Sequence, residues 1–155
     1  MLEELNEYLP SVLRELIEDG YTVFRAGGAL GFDTYAAIHV LKLKKEYPNI
    51  RLELCLPCPD QTKKWSRRDV ELYHRILEAA DSYSYISDNY FVGCMQARNR
   101  CLVDGASHCV AYYDGSGKGG TAYTVRYSDQ KNVPVTNVYL PLSRKCIELY
   151  GADSI

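Results

Sequence analysis

The chain has 155 residues, a formal net charge of −2, and 46% hydrophobic against 25% charged residues, proportions that are typical of a soluble globular protein. This length suits one domain with its own core, so we expect a single domain over residues 1–155. No apolar run approaches the roughly 18 residues of a membrane-spanning helix, and the first residues are acidic. We therefore expect a cytoplasmic protein with no membrane partner. The net negative charge gives no general attraction to nucleic acid.

Short β-branched and aromatic runs alternate with amphipathic stretches along the chain, and Pro10 in the first stretch predicts a kink there or a helix that begins there. The predicted strands cover 21–25, 50–57, 83–87, 108–113 and 134–139. The predicted helices cover 2–17, 34–46, 66–80, 91–103 and 121–131, with a short helix around 143–150. Alternating helices and strands predict an α/β sandwich around a mostly parallel sheet.

Glycines and polar side chains concentrate in the loops that follow the predicted strands, at 26–33, 58–65, 88–91 and 114–120. The connections at the other ends of the strands are short and chemically plain. Because the carboxyl ends of parallel strands share one edge of a sheet, ligands of such folds bind there. The sequence therefore predicts a ligand site at the carboxyl edge.

Two glycine loops stand out within that set. In the first, Gly27, Gly28 and Gly31 allow close backbone approach, and Asp33 follows as a ligand contact or simply as a helix N-cap. The second contains Gly119 and Gly120 before Thr121, which either caps a helix or contacts a phosphate beside free N–H groups. Neither loop has the P-loop or G-x-G-x-x-G spacing, which leaves little support for NAD-dependent hydride transfer.

Arg98-Asn99-Arg100 is the third feature of interest. A guanidinium group presents a planar fork to phosphate or carboxylate, whereas the alternative is a solvated helix face. Tyr90 and Tyr123 are candidates to stack a base at the mouth of the site.

The six cysteines at 55, 58, 94, 101, 109 and 146 include only one C-x-x-C pair, Cys55 and Cys58. That pair follows an apolar strand instead of opening a helix, where a thiol pKa is lowered. No second pair with zinc-ligand spacing is present. We expect buried, reduced cysteines, no metal and no cofactor.

In combination, Gly27–Asp33, Arg98–Arg100 and Gly119–Thr121 resemble the motifs of the SLOG superfamily of Rossmann-like proteins, and within it the YpsA-like branch. The resemblance covers roughly residues 10–139. It implies one SLOG-type domain, a Rossmann-like three-layer sandwich, that binds a nucleotide or nucleotide-derived molecule at the carboxyl edge. The implied ligand-binding residues are Gly27, Gly28, Gly31, Asp33, Arg98, Asn99, Gly119, Gly120 and Thr121.

One departure from the superfamily bears on catalysis. Its phosphoribohydrolases have a glutamate shortly after the glycine–threonine turn, where this chain has Ala122–Arg126 without a carboxylate. The sequence therefore favours a sensor or regulator over an enzyme, and no catalytic residue is assigned. A nucleoside-monophosphate N-glycosidase, with Asp33 as the substitute carboxylate, is one alternative. Single-stranded DNA binding like that of DprA is the other, disfavoured by charge, and homo-oligomerisation is left open.

The second departure is at the N-terminus. YpsA-like proteins begin with a strand that ends in a Thr-Gly-His-Arg-type loop, and this sequence starts after it. The resemblance implies that this first strand is absent and places it centrally, between the strands at 21–25 and 83–87. Those strands then close up, another segment fills the gap, or the sequence is a truncated form, which we favour. In that case an added upstream strand should raise the melting temperature and the ligand affinity together.

Overall fold

The structure, a computed structural model, describes residues 2–139. The described residues form five α-helices, one short 3-10 helix and five β-strands in the predicted order. The elements are α1 (Leu2–Glu18), β1 (Val23–Ala26), α2 (Phe32–Lys44), β2 (Arg51–Leu56), the 3-10 helix (Pro59–Thr62), α3 (Arg67–Ala79), β3 (Ser82–Tyr85), α4 (Cys94–Asp104), β4 (Cys109–Ala111), α5 (Gly119–Gln130) and β5 (Val135–Asn137). The helix predicted around 143–150 lies outside the described residues.

Local sequence accounts for the start of α3. Ser66 caps α3 by accepting the Asp69 N–H at 3.2 Å, as its capping-box pattern predicts. Pro10 lies inside α1, so the helix does not begin there. Leu9 and Leu13, one turn apart, are buried in the core beneath it.

The strands form two parallel sheets. The first has the order β1-β2-β3, with Val23 opposite Arg51 and Glu53 opposite Ser82. The second pairs β4 with β5, with Val110 opposite Thr136. Parallel strands in open sheets, alternating with helices, confirm the predicted Rossmann-like α/β fold.

The predicted position of the missing strand is wrong. β2 lies between β1 and β3 and pairs with both. The strands predicted at 21–25 and 83–87 are therefore not neighbours, and no missing strand fits between them. Within residues 2–139, β1 pairs only with β2 and β4 pairs only with β5, and residues of β1 and β4 line one cavity. The physical reason is in β2, where Leu52, Leu54, Cys55 and Leu56 are buried, as suits the centre of a sheet.

The core joins α1, α2 and α3 to the first sheet, around Leu9, Leu52 and Leu56, each fully buried. Among the helices described, none is both long enough and apolar enough to cross a membrane.

Candidate functional site

A cavity of about 630 Å³ opens at the carboxyl edge and continues between β1 and β4. Its volume is within the range of small-molecule sites. Six of the nine predicted site residues line it: Gly27, Asp33, Arg98, Asn99, Gly120 and Thr121. The other three, Gly28, Gly31 and Gly119, are not among its lining residues. The loop after β1, the first turn of α2, helix α4 and the start of α5 thus contribute to one cavity.

Gly27 follows β1 and is packed between two site side chains. A Cβ there would lie 2.8 Å from Arg98 Nη1 and 2.9 Å from Asp33 Oδ2, both too close for a carbon atom. Arg98 Nη1 donates to the Gly27 carbonyl oxygen. Glycine is therefore required at this position for contact with the Arg98 and Asp33 side chains, and the three residues form one unit.

The Asp33 carboxyl group is the acidic member of that unit. Burial raises its pKa above the usual 3.8, while the positive charge of Arg98 and the Ala29 N–H, 3.3 Å from Asp33 Oδ2, partly oppose the rise. The carboxyl group of Asp33 is thus partly buried, at the wall of the cavity and beside one cation. Asp33 is the only carboxylate among the cavity-lining residues of the described chain.

Gly28 and Gly31 have structural explanations. Gly28 has φ +71°, and a Cβ there would lie 2.3 Å from Leu56 Cδ2, so its backbone packs on the core. Gly31 has φ +90° and is the N-cap of α2. The alternative that Asp33 caps this helix is wrong, because Asp33 lies in the first turn of α2. Its Oδ2 accepts a hydrogen bond from the Ala29 N–H, which precedes the helix.

The second glycine loop ends earlier than predicted. α5 begins at Gly119, with Lys118 as N-cap, so Thr121 is in the first turn and does not cap the helix. Gly119, with φ +92°, provides the backbone turn into the helix. The first-turn N–H groups of Gly119, Gly120 and Thr121 have no partner within the helix, which makes this end a local electropositive surface.

Asn99 joins the two halves of the site. Its Oδ1 accepts a 2.7 Å hydrogen bond from Arg98 Nε, and its Nδ2 donates to the Gly120 carbonyl oxygen at 3.5 Å. The Arg98 side chain is 5% exposed and already bonded to Gly27 and Asn99, so it fixes the loop and adds positive charge. Arg100 points elsewhere and donates to the Tyr123 hydroxyl at 2.8 Å.

The aromatic side chains at the cavity are not those the sequence indicated. Neither Tyr90 nor Tyr123 is among the lining residues, whereas Phe32 and Tyr112 are, with ring centroids 5.9 Å apart and an interplanar angle of 23°. Tyr112 directly follows β4 and Phe32 begins α2, so both positions are at the carboxyl edge. Their positions at the end of a predicted strand and at the start of a predicted helix could have indicated these two residues from the sequence.

The cysteines in the described residues are free thiols, and Cys55, Cys58 and Cys94 are buried. Burial raises the pKa of Cys55 to about 12 and also raises that of Cys58, the opposite of a redox-active pair. No cluster of three or more potential metal-ligating side chains occurs among residues 2–139.

The sequence also matches a known family and several known proteins. A family described as the YspA SLOG family matches residues 1–140. The Uncharacterized SPbeta prophage-derived protein YoqJ of Bacillus subtilis is 36% identical over 139 residues, which cover 81% of this chain and 80% of YoqJ. UPF0398 protein BH1768 of Halalkalibacterium halodurans is 33% identical over 118 residues, covering 75% of this chain but 62% of that protein. A UPF0398 protein of Bacillus pumilus is 28% identical over 130 residues, covering 83% and 70%.

Proposed function

The chain belongs to the YspA SLOG family, and from that premise we propose that it binds a nucleotide or nucleotide-derived small molecule as a sensor or regulator. The observation that carries the proposal is the convergence of Gly27, Asn99 and the start of α5 on one cavity. Such a cavity offers backbone donors for an anion beside an apolar space for a base.

The anionic part of the ligand is assigned to the start of α5. Gly120 and Thr121 line the cavity and have first-turn N–H groups, which favour phosphate at a helix N-terminus. Asn99 lies alongside as an adaptable amide, and the buried charge of Arg98 strengthens the positive potential. Binding at this end places the charged group where water has access.

The base is assigned to the neighbourhood of Phe32 and Tyr112. Both rings line the cavity at its carboxyl-edge end. Contact of a base with an aromatic face contributes about 1–3 kcal/mol in nucleic-acid-binding proteins. A ligand with a phosphate at α5 and a base near these rings contacts both the polar and the aromatic parts of the cavity lining.

A thermal-shift screen tests the proposal, with nucleoside mono-, di- and triphosphates, ADP-ribose, NAD and single-stranded DNA as probes. A probe at 100 times its Kd stabilises the chain by about 2.7 kcal/mol, or roughly 5–10 °C in Tm for a protein of this size. No shift from any nucleotide at millimolar concentration contradicts the proposal. A shift only with DNA, steeply reduced by salt, favours the DNA-binding alternative instead.

Thr121→Glu is the diagnostic variant. A carboxylate in the first turn of α5 is compatible with the helix dipole, so the fold is kept, but it repels an anion. We expect at least a tenfold loss of nucleotide affinity. Thr62→Glu, in the 3-10 helix and outside the cavity lining, is the matched control and should bind like the parent.

One observation supports hydrolysis of an N-glycosidic bond as a second candidate. Asp33 is a cavity carboxyl group with a raised pKa, as a general acid requires. Release of free base from nucleoside monophosphates, measured by chromatography and abolished by Asp33→Asn with binding retained, establishes that activity. Binding without base release leaves the sensor proposal in place.

A further inference from the structure

Two pairs of cysteines meet where helix α4 packs against strand β2 and the residues that follow it. The thiol of Cys55 interacts with that of Cys101, and the thiol of Cys58 interacts with that of Cys94. The spacings along the two elements match, because three residues of extended chain and seven residues of α-helix both span about 10 Å. The four thiols therefore meet as two separate pairs at one interface.

The strand register places the Cys55–Cys101 pair independently. In the parallel pairing of β1 with β2, the residues that follow the last register pair are Gly27 and Cys55. A Cβ at Gly27 would contact Arg98 of α4, and side chains in register point to the same face of a sheet. Arg25, two residues before Gly27 and hence on that face, has its Nη2 3.8 Å from Cys101 Sγ. Cys55 and Cys101 thus lie on the face of the first sheet that α4 covers.

One thiol of the Cys55–Cys101 pair is accessible to an oxidant. Cys101 is half-buried, whereas Cys55 is buried and desolvation raises its pKa to about 12, so Cys101 reacts first. Arg25 donates to the Cys101 carbonyl oxygen at 3.1 Å, which holds the guanidinium group beside the Cys101 sulfur. A fixed donor there stabilises the negative charge that develops on an oxygen leaving the oxidant. The positive charge of Arg98 also acts on this pair.

The Cys58–Cys94 pair lacks both features. Its two side chains are fully buried, so no oxidant in solution reaches either sulfur. The charged side chain that acts on Cys58 is Asp60, a carboxylate and not a cation. This pair consists of the same residues at the same interface as the Cys55–Cys101 pair, and it is therefore an internal control for reactivity.

We propose that Cys101 and Cys55 are a peroxide-reactive pair, in which a hydroperoxide oxidises Cys101 and Cys55 converts the product into an intramolecular disulfide. The Cys101 sulfur attacks one peroxide oxygen, the O–O bond breaks, and the leaving oxygen takes the thiol proton, which leaves a sulfenic acid on Cys101. The Cys55 sulfur then attacks the sulfenic sulfur, so that an S–S bond replaces the S–O bond and hydroxide leaves with the Cys55 proton as water. The two sulfurs together lose the two electrons that the hydroperoxide gains. The cross-link fixes α4, which carries Arg98 and Asn99, to the central strand.

The test exposes the reduced full chain to hydrogen peroxide, blocks the remaining thiols with N-ethylmaleimide after denaturation, and maps the products by mass spectrometry. We expect the loss of two thiols per chain and one cross-link between Cys55 and Cys101, reversed by dithiothreitol. The Cys58–Cys94 pair should be oxidised at least tenfold more slowly. Equal oxidation of both pairs, a disulfide between two chains, a cross-link from Cys101 to any other cysteine, or no reaction at Cys101 overturns the proposal.

Variants separate the roles of the two thiols and of the arginine. Cys55→Ser should leave Cys101 as a sulfenic acid that dimedone traps, whereas Cys101→Ser should abolish the reaction. Cys109→Ser removes another half-buried thiol, outside the pair, and should be oxidised like the parent. Arg25→Gln should slow the oxidation of Cys101 at least fivefold and Arg25→Lys should restore part of the rate, with circular dichroism as the check that each variant is folded. An unchanged rate in Arg25→Gln, or dimedone labelling at a residue other than Cys101 in Cys55→Ser, contradicts the proposal.

Discussion

The contact between Gly27 and Arg98 gives the sharpest test of the site. A methyl group at position 27 would lie 2.8 Å from Arg98 Nη1 and 2.9 Å from its Cδ, so Gly27→Ala must displace a buried side chain. Overpacking of this kind costs about 1–3 kcal/mol of unfolding free energy. Arg98→Ala removes a buried cation beside Asp33 and two hydrogen bonds, at about 3–5 kcal/mol.

The double variant distinguishes this contact from two independent losses. Without the Arg98 side chain, two of the three atoms nearest to the new methyl group are gone, and Asp33 Oδ2 at 2.9 Å remains. We expect the double variant to cost about 1–2 kcal/mol less than the sum of the two single variants, in a protein whose total stability is about 5–15 kcal/mol.

Urea denaturation at pH 7, monitored by circular dichroism, measures all four corners of the cycle. Gly117→Ala is the control for glycine replacement, since a Cβ there meets nothing within 4 Å. Additivity of Gly27→Ala and Arg98→Ala within about 0.5 kcal/mol would refute the packing that unites Gly27, Asp33 and Arg98.

The remaining predictions concern pH and backbone strain. Because the folded pKa of Asp33 is raised, its contribution to stability is full below 3.8 and lost as pH rises through the folded value; Asp33→Asn should flatten this decline in pH-dependent denaturation. The pKa of Asp81 is lowered, chiefly by the hydrogen bond from Lys44, so its contribution to stability is present above 3.8 and lost as the pH falls. Because Asp81 is exposed and screened by solvent, Asp81→Asn should cost only about 0.5–1 kcal/mol at pH 7 and should make unfolding at low pH less steep. Gly28→Ala should cost about 2–5 kcal/mol, against about 1–2 for Gly31→Ala, because both have positive φ but only Gly28 also meets the core; equal midpoint shifts in urea would contradict this.

Element order and the convergence of loops could be predicted because both depend on local signals. Hydrophobic period, caps and glycine position the helices and strands, and parallel connectivity brings the loops to one edge. The order of strands depends on pairings distant in sequence, and there the prediction failed. In the structure, the exposed Tyr83 belongs to the edge strand β3 and the buried Leu52 to the central strand β2.

The roles of individual site residues were less predictable. Gly31 and Gly119 have positive φ, but the sequence shows only that they are glycines, not whether each one starts a helix or contacts a ligand. Likewise, the arginine motif does not reveal that Arg98 turns inward to Gly27 while Arg100 turns outward to Tyr123. These distinctions come from contacts between elements.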